Sequence, residues 1–244
     1  MMKKIIITGS EGRFAKTLKK YFFGKHIHYM NKKEFNILNK KSIEKKIKEI
    51  KPKTILHLAA LSRPLDVHDK NISQSIDINI IGTCNLVKVC EKLNIKLIFM
   101  STHYVYPGKK GNYREIDPLL PANNYSWSKL GAECAVQMYS KKSLIIRIAM
   151  SETPFVHKYA FTDRKSNFLT HIEAAKIIPK LMGLKGVINV GGKTMSIYRF
   201  ALKTKTSVLP IKYKAKKQSN LIMPNTSVNI KKLKSILKLK KNSS

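Results

Sequence analysis

Cysteine is scarce in this sequence and lacks the spacing of a structural site. Only Cys84, Cys90 and Cys134 occur in 244 residues, and no two of them form a CxxC pair. This disfavours a disulfide framework and a zinc site, and it favours a reducing compartment. The seven histidines include no HxxxH or HxxEH pair. We therefore predict no metal site.

Long apolar runs are also missing. No stretch approaches the roughly 20 residues that span a bilayer, and the apolar part of the opening MMKKIIITGS is too short for a signal sequence. Hydrophobic residues still make up 43% of the chain, enough for a core. We expect a cytoplasmic protein without membrane contact, built as one large domain with a small lobe.

Acidic residues are few. Asp and Glu number 14 against 48 Lys and Arg, which gives a formal net charge of +34. The surplus is mostly Lys, spread along the chain together with Ile and Asn, and this pattern favours compositional drift over a selected polyanion surface. A nucleic-acid reader leans on Arg for bidentate contacts, so nucleic acid is a disfavoured partner. The positive field should nevertheless attract anionic ligands and weaken with salt.

The remaining pattern alternates short apolar strands with amphipathic helices. Predicted strands are KKIIITG, HIHYM, KTILHLAA, IKLIFMS, SLIIRIA and GVINVGG, with helices between most of them. This alternation is typical of a parallel sheet covered on both faces. We predict an α/β fold with a Rossmann-type doubly wound parallel sheet and a small C-terminal substrate lobe. Residues 1–150 form the predicted NAD(P)-binding domain. Residues 151–244 form a reduced, discontinuous substrate lobe whose strands return to the main sheet.

A glycine-rich loop joins the first strand to the first helix. ITGSEGRFAK places Gly9, Gly12 and Ala15 in the order GxxGxxA. Gly9 allows a tight turn, Gly12 lets the backbone approach a pyrophosphate, and Ala15 lets the helix pack on the strand. The helix N-terminus adds free N–H groups. A generic strand–helix turn is the alternative, but the context on both sides favours a dinucleotide site.

The choice of coenzyme depends on the end of the second strand. An NAD site usually has a carboxylate there, whereas this chain has Asn31, Lys32 and Lys33. Arg13 lies within the glycine loop, where it could meet a 2′-phosphate. We therefore expect NADP (NADPH) to be preferred, with NAD possible. The predicted coenzyme contacts outside the pair Tyr125 and Lys129 are Gly9, Ser10, Gly12, Arg13, Phe14, Asn31, Lys32, Asn36, Ala59, Ala60 and Leu61.

NNYSWSKLGAE places Tyr125 and Lys129 four residues apart at the start of a predicted helix. Positions i and i+4 are neighbours on one helix face. The pair is therefore either an ordinary helix start or an acid–base pair, in which the ammonium lowers the phenol's pKa. The spacing alone does not decide between them.

The motifs taken together resemble a known family. ITGSEGRFAK, LHLAALS, STHYVYPG, YSWSKLGAE and LIIRIA occur in the order found in extended short-chain dehydrogenases/reductases. The stretches around KEFNILNKKSIEKKIKEIKPK and YREIDPLLPANN, and the tail MPNTSVNIKKL, are similar to the dTDP-4-dehydrorhamnose reductase type. The resemblance implies that Thr102, Tyr125 and Lys129 are catalytic, with Tyr125 and Lys129 also at the coenzyme. It places substrate contacts at Thr102, His103, Tyr104 and Arg147.

The resemblance also sets the functional expectation. We predict NADPH-dependent reduction of a keto group on a nucleotide-activated sugar by a possible homodimer. A sugar-nucleotide epimerase and a non-catalytic NAD(P)-binding regulatory subunit remain alternatives. Related 4,6-dehydratases carry Asp-Glu where this chain has His103-Tyr104, so dehydration is disfavoured. The segment after Arg147 is shorter than in that family, which implies a reduced substrate lobe.

Overall fold

The computed structural model describes residues 3–214 and 223–241 of the chain. The strands, in chain order, are β1 (Ile5–Thr8), β2 (Ile27–Met30), β3 (Thr54–His57), β4 (Lys96–Thr102), β5 (Ser143–Ile148), β6 (Met150–Ser151), β7 (Tyr159–Phe161), β8 (Lys165–Ser166), β9 (Leu169–Thr170), β10 (Gly186–Val190), β11 (Met195–Ser196) and β12 (Leu209–Ile211). The α-helices are α1 (Arg13–Tyr21), α2 (Lys40–Ile50), α3 (Val67–Lys70), α4 (Ile72–Ser75), α5 (Gly82–Lys92), α6 (Asn124–Met138), α7 (His171–Leu181), α8 (Ile197–Leu202) and α9 (Lys231–Lys241). A π-helical segment, Ile76–Ile81, joins α4 to α5, and a 3-10 turn, His103–Val105, follows β4.

Six strands form the central sheet, in the order β10-β5-β4-β3-β1-β2, and every pairing is parallel. The chain leaves β1 for β2 on one side and returns to β3 on the other. The strand order therefore reverses between β1 and β3. In open parallel sheets, a crevice forms at such a reversal, outside the carboxyl ends of the strands.

Helices cover both faces of this sheet, which confirms the predicted α/β class. One apolar layer joins the sheet to α1, α7 and α9, and includes Leu18, Ile178 and Leu233. The opposite layer joins it to α2, α5 and α6, and includes Ile47 and Leu86. Strands buried on both faces are continuous apolar runs, which is why IIIT and TILH predicted them correctly.

Capping residues fix where the helices begin and end. The Asn39 side chain accepts from the Ser42 N–H at the start of α2. The helix ends at Ile50, and its C-cap Lys51 has a left-handed backbone conformation before Pro52. Thr170 and Glu173 form a reciprocal capping box on α7. Short polar side chains at these positions satisfy N–H groups that lack helical partners.

The chain after β5 is less regular. Three two-stranded pairings, β6 with β9, β7 with β12 and β8 with β11, lie outside the main sheet. A small apolar cluster, including Phe155 and Val208, packs among them. β10 returns to the main sheet beside β5. The domain boundary near residue 150 stays a prediction. The last helix of the described residues is α9, which packs on the sheet through Leu233.

Two further findings concern the described residues as a whole. None of the helices in this part of the chain is long and apolar enough to cross a membrane. The same residues contain no group of three His, Cys, Asp or Glu side chains that could hold a metal ion.

Candidate functional site

A cleft lies where β1, β3, β4 and β5 end. Its volume is about 270 Å³, and its lining includes the glycine loop and the predicted catalytic residues. Gly9 follows β1, Ala60 follows β3, Thr102 ends β4, and Met150 follows β5. Residues far apart in the chain meet here because parallel strands present their carboxyl ends at one edge.

The glycine loop has the backbone that the sequence predicts. Gly9 has φ of +72°, and a Cβ there would lie 2.7 Å from the Ala59 backbone, so a side chain cannot fit. The Gly12 N–H donates to the Gly9 carbonyl at 3.0 Å and Gly12 caps α1. The first turn of α1 contains no acidic residue. Its N-terminal end, with Phe14 and Ala15, borders the cleft and suits an anionic group.

A second cavity of about 240 Å³ adjoins the loop on the β2 side. It brings together Gly9 and Gly12 with the predicted contacts Lys32, Asn36, Ala59, Ala60 and Leu61. Two predicted contacts are engaged elsewhere. The Ser10 N–H donates to the Met30 carbonyl at 3.1 Å. Asn31 exchanges two hydrogen bonds with Glu34, both 3.0 Å long. Neither Ser10 nor Asn31 is part of the lining of either cavity.

Arg13 lines the larger cleft and not the β2-side cavity. Its guanidinium pairs with the Glu152 carboxylate at 2.6 Å. This pair joins the start of α1 to the segment after β5. The 2′-phosphate contact expected for Arg13 is therefore not supported by this placement. Lys32 is the cation on the side where that phosphate would lie.

Tyr125 and Thr102 meet in the cleft. Asn123 caps α6 by accepting from the Ser126 N–H, which places Tyr125 in the first turn. Its side chain lines the cleft together with that of Thr102. Burial raises the pKa of Tyr125 to about 12 and Tyr104 adds to the rise, while Arg63 and Thr102 lower it. Lys129 is not among the causes of this shift, so the lowering expected from its ammonium does not appear.

Lys129 lies one turn further along α6 and is buried. Its ammonium is 4.1 Å from the centre of the Phe99 ring. Burial lowers the pKa of Lys129 from 10.5 to about 7, opposed by Glu133. A buried ammonium loses hydration, and one aromatic face does not replace it. The ammonium of Lys129 therefore loses its proton near pH 7. The residue lines the same cleft as Tyr125.

His103 and Tyr104 follow Thr102 in the 3-10 turn. The His103 Nδ1 is 3.1 Å from the Ile148 carbonyl, and its Nε2 is 3.4 Å from the Ser166 hydroxyl. Burial lowers the pKa of His103 to about 4, so the ring is neutral at pH 7. The Tyr104 ring lies 4.0 Å from it, and both residues line the cleft. His103 thus has no free positive charge for a diphosphate.

Arg147 does not reach the cleft, although the sequence predicted it as a substrate contact. It lies in β5 with 4% of its side chain exposed, and it forms an ion pair with Glu133. Its guanidinium also donates to the Tyr106 hydroxyl and the Glu115 carbonyl. Each of the three side-chain nitrogens of Arg147 therefore donates a hydrogen bond inside the protein. We correct its placement from substrate contact to a buried link between β5 and α6.

Three residues near the site were not anticipated from the sequence. Asn79, in the π-helical segment, donates to the Leu61 carbonyl and the Ser128 hydroxyl, and its Oδ1 accepts from the Leu61 N–H. Arg63 and Glu152 line the cleft from the segments after β3 and β5. The signal that identifies Arg63 and Glu152 is position, because both follow the carboxyl end of a predicted strand. Nothing in the local pattern identifies Asn79.

The sheet order and the cleft define a Rossmann-like α/β protein with a glycine loop at its strand reversal. The chain belongs to the family whose model is described as the RmlD substrate binding domain, which matches residues 2–172. This confirms the resemblance predicted from the motifs.

Curated relatives extend the comparison. The dTDP-4-dehydrorhamnose reductase of Aggregatibacter actinomycetemcomitans is 27% identical over 201 residues, covering 80% of this chain and 64% of that protein. Methionine adenosyltransferase 2 subunit beta of Pongo abelii is 23% identical over 214 residues, covering 77% and 64%. The spore coat polysaccharide biosynthesis protein SpsK of Bacillus subtilis is 29% identical over 149 residues, covering 60% and 52%. The chain thus spans less than two thirds of the length of these relatives.

Solved structures agree on the fold. The dTDP-4-dehydrorhamnose reductase of Bacillus anthracis, solved in complex with NADP, superposes with a TM-score of 0.80 at 24% identity, covering 96% of this chain and 92% of that one. The UDP-glucose 4-epimerase of Thermus thermophilus, solved with NAD, gives 0.75 at 15% identity, covering 98% and 93%. Both likenesses concern the fold alone.

Proposed function

We propose that this protein reduces a keto group on a nucleotide-activated sugar with NADPH as the hydride source. The observation that carries the proposal is the meeting of Thr102, Tyr125 and Lys129 with the glycine loop in one cleft. The family match and the reductase relatives support the same reaction class. A dTDP-4-keto-6-deoxyhexose is the best candidate substrate. The cytoplasmic location and the homodimer stay predictions.

The cleft residues fit a nicotinamide dinucleotide. Gly9 leaves no room for a side chain, and Gly12 opens the N-terminus of α1 to a pyrophosphate. The cavity around Asn36 and Ala59 suits the adenosine half. Lys32 is the cation available to a 2′-phosphate, which supports NADP over NAD, although NAD remains possible. When bound, the coenzyme supplies the hydride.

The protein's own side chains manage the proton and the orientation. Tyr125 donates its phenolic proton to the oxygen of the substrate carbonyl as that oxygen gains negative charge. Thr102 donates a hydrogen bond to the same oxygen and holds it beside Tyr125. Lys129 provides an ammonium within the cleft that favours the phenolate left behind. Because Tyr125 is otherwise kept protonated by burial, it is a proton donor and not a base before reaction.

The direct experiment mixes purified protein, NADPH and a dTDP-4-keto-6-deoxyhexose, and follows both NADPH absorbance and the sugar product. Stoichiometric loss of NADPH with formation of a 4-hydroxy sugar is expected. Epimerised product without net loss of NADPH would identify the epimerase alternative. No product, with NADPH still bound, would contradict the reductase proposal.

A second candidate function is a non-catalytic regulatory subunit. Methionine adenosyltransferase 2 subunit beta appears repeatedly among the curated relatives, with identities of 23–28%. A protein of this kind would bind NADPH without turning over any keto sugar. It would instead alter the activity of a partner enzyme. The retained set Thr102, Tyr125 and Lys129 favours the reductase, so we place this candidate second.

A further inference from the structure

A large cavity opens beside the phenol of Tyr125. Its volume is about 510 Å³, and it shares Arg63, Tyr104 and Tyr125 with the cleft that contains the glycine loop. Its lining also includes the side chains of Phe155, Tyr159, Phe161 and Phe168, which we call the aromatic wall. None of the described residues that line it is Asp or Glu. The cavity therefore suits a planar apolar ring attached to an anionic group.

Arg63 is the cation at the junction of the cavity and the cleft. It is exposed, in the segment after β3, and its guanidinium is 3.5 Å from the Nε2 of His157. Within residues 3–214 and 223–241, no carboxylate forms an ion pair with it, whereas Arg13 and Arg147 are each paired with a Glu. An unpaired guanidinium at a cavity mouth offers its fork of donors to a ligand.

The surroundings of Arg63 add positive charge, and Glu152, which lines the cleft with it, is paired with Arg13. Lys158 lines the same cavity, and the Lys205 ammonium lies 3.5 Å from the His157 carbonyl. Burial lowers the pKa of His157, helped by Arg63 and Lys205 and opposed by Glu152. The ring is therefore neutral near pH 7 and leaves the guanidinium as the donor. Arg63 and Tyr125 line the same cavity, and the charge of Arg63 lowers the pKa of the phenol.

We propose that Arg63 is a specificity-determining residue that holds a phosphate of the substrate at the mouth of this cavity. The nucleoside then lies against the aromatic wall, and the sugar carbonyl reaches Tyr125. Guanidinium groups bind phosphate oxygens through two parallel hydrogen bonds, so the contact fixes orientation as well as charge. The inference rests on the proposed keto-reduction for the identity of the ligand. It adds the residue that distinguishes a nucleotide-linked sugar from a free one.

The test measures binding, without turnover, by calorimetry at constant ionic strength. Saturating NADPH fills the coenzyme site, and the probes are dTDP, thymidine and inorganic diphosphate. Wild type should bind dTDP more tightly than thymidine. Arg63→Gln should lower dTDP affinity by roughly 10- to 100-fold, the range for one lost charged hydrogen bond, and leave thymidine affinity unchanged. Arg63→Lys should recover part of the loss, and Lys41→Gln, on the exposed face of α2, is the matched charge control.

Three outcomes would overturn the proposal. One is equal dTDP affinity in Arg63→Gln and wild type. Another is an equal loss in Lys41→Gln, which would assign the effect to net charge. The third is dTDP binding no tighter than thymidine in wild type. Inorganic diphosphate that binds as tightly as dTDP would overturn the placement of the nucleoside on the aromatic wall. Because no catalysis is measured, these results stand apart from a failure of keto-reduction.

Discussion

The ammonium of Lys129 lies over the face of Phe99, 4.1 Å from the ring centre, in the interior of the protein. Phe99 belongs to β4 and Lys129 to α6, so the contact joins this helix to the strand that ends at Thr102. The pKa of Lys129, about 7, means that the free protein holds this group partly neutral at physiological pH. A bound anionic coenzyme favours the charged form.

Lys129→Met should therefore change stability in a pH-dependent way. Between about pH 7 and pH 10.5 the unfolded chain carries a proton on Lys129 that the folded protein lacks. The free energy of unfolding of wild type, relative to Lys129→Met, should rise with pH across that window and be constant below it. Urea denaturation at a series of pH values measures this difference. A difference that falls with rising pH would contradict the buried, low-pKa lysine.

Tyr125→Phe should abolish most turnover. The change keeps the ring and removes the proton donor, so kcat should fall roughly 10²- to 10⁴-fold, the range for general acid catalysis. NADPH affinity should change little. The matched control is Tyr139→Phe, which removes a hydroxyl bonded to the Cys90 and Ile95 carbonyls far from the cleft. If both variants kept wild-type turnover, Tyr125 would be a structural residue.

Lys32→Ala should weaken NADPH binding more than NADH binding. Lys32 lines the cavity on the β2 side, and only NADPH carries the extra phosphate there. A lost charge-assisted contact should lower NADPH affinity about tenfold or more. Nicotinamide fluorescence at fixed salt gives both constants. Lys33→Ala is the control, since that side chain is not part of the lining. Equal losses for the two coenzymes would remove Lys32 as the source of preference.

Arg147→Met should destabilise the protein strongly. The Glu133 side chain, 1% exposed, would keep the Ser101 hydroxyl as its one hydrogen-bond partner among the residues that the structure describes. Breaking a buried pair from one side costs roughly 3–5 kcal/mol. Arg114→Met removes a mostly exposed partner of Asp117 and should cost about 0–1 kcal/mol. Equal losses in urea denaturation would contradict the structural role that we assign to Arg147.

The sequence predicts those parts of the molecule whose causes are local. The glycine loop and the apolar strands each depend on neighbours within a few residues, and both are found. Arg147 shows the limit. The family resemblance implies a substrate contact for it, but its guanidinium bonds Glu133 on α6 inside the protein. Such a pairing depends on how a helix packs on the sheet, which no local pattern specifies.

The coenzyme preference shows a different limit. The inference that no acid follows β2 was made by counting positions along the chain. In the structure, the Glu34 carboxylate folds back and accepts from the Asn31 N–H. Arg13 was expected at a phosphate and instead pairs with Glu152, from a segment more than half the chain away. A flexible charged side chain forms its ion pair with a partner that the tertiary fold brings near, as Arg13 does with Glu152. Composition and spacing therefore predict the backbone of this site better than its electrostatics.

The amide of Asn79 joins two parts of the site that the chain keeps separate. Its Oδ1 accepts from the Leu61 N–H and its Nδ2 donates to the Leu61 carbonyl, beside the cavity on the β2 side. The same Nδ2 donates to the hydroxyl of Ser128, next to Lys129. One side chain therefore links the loop after β3 to the helix that carries Tyr125. Under the proposed function, Asn79 couples coenzyme selectivity to proton transfer, and a variant designed to change one should be measured for the other.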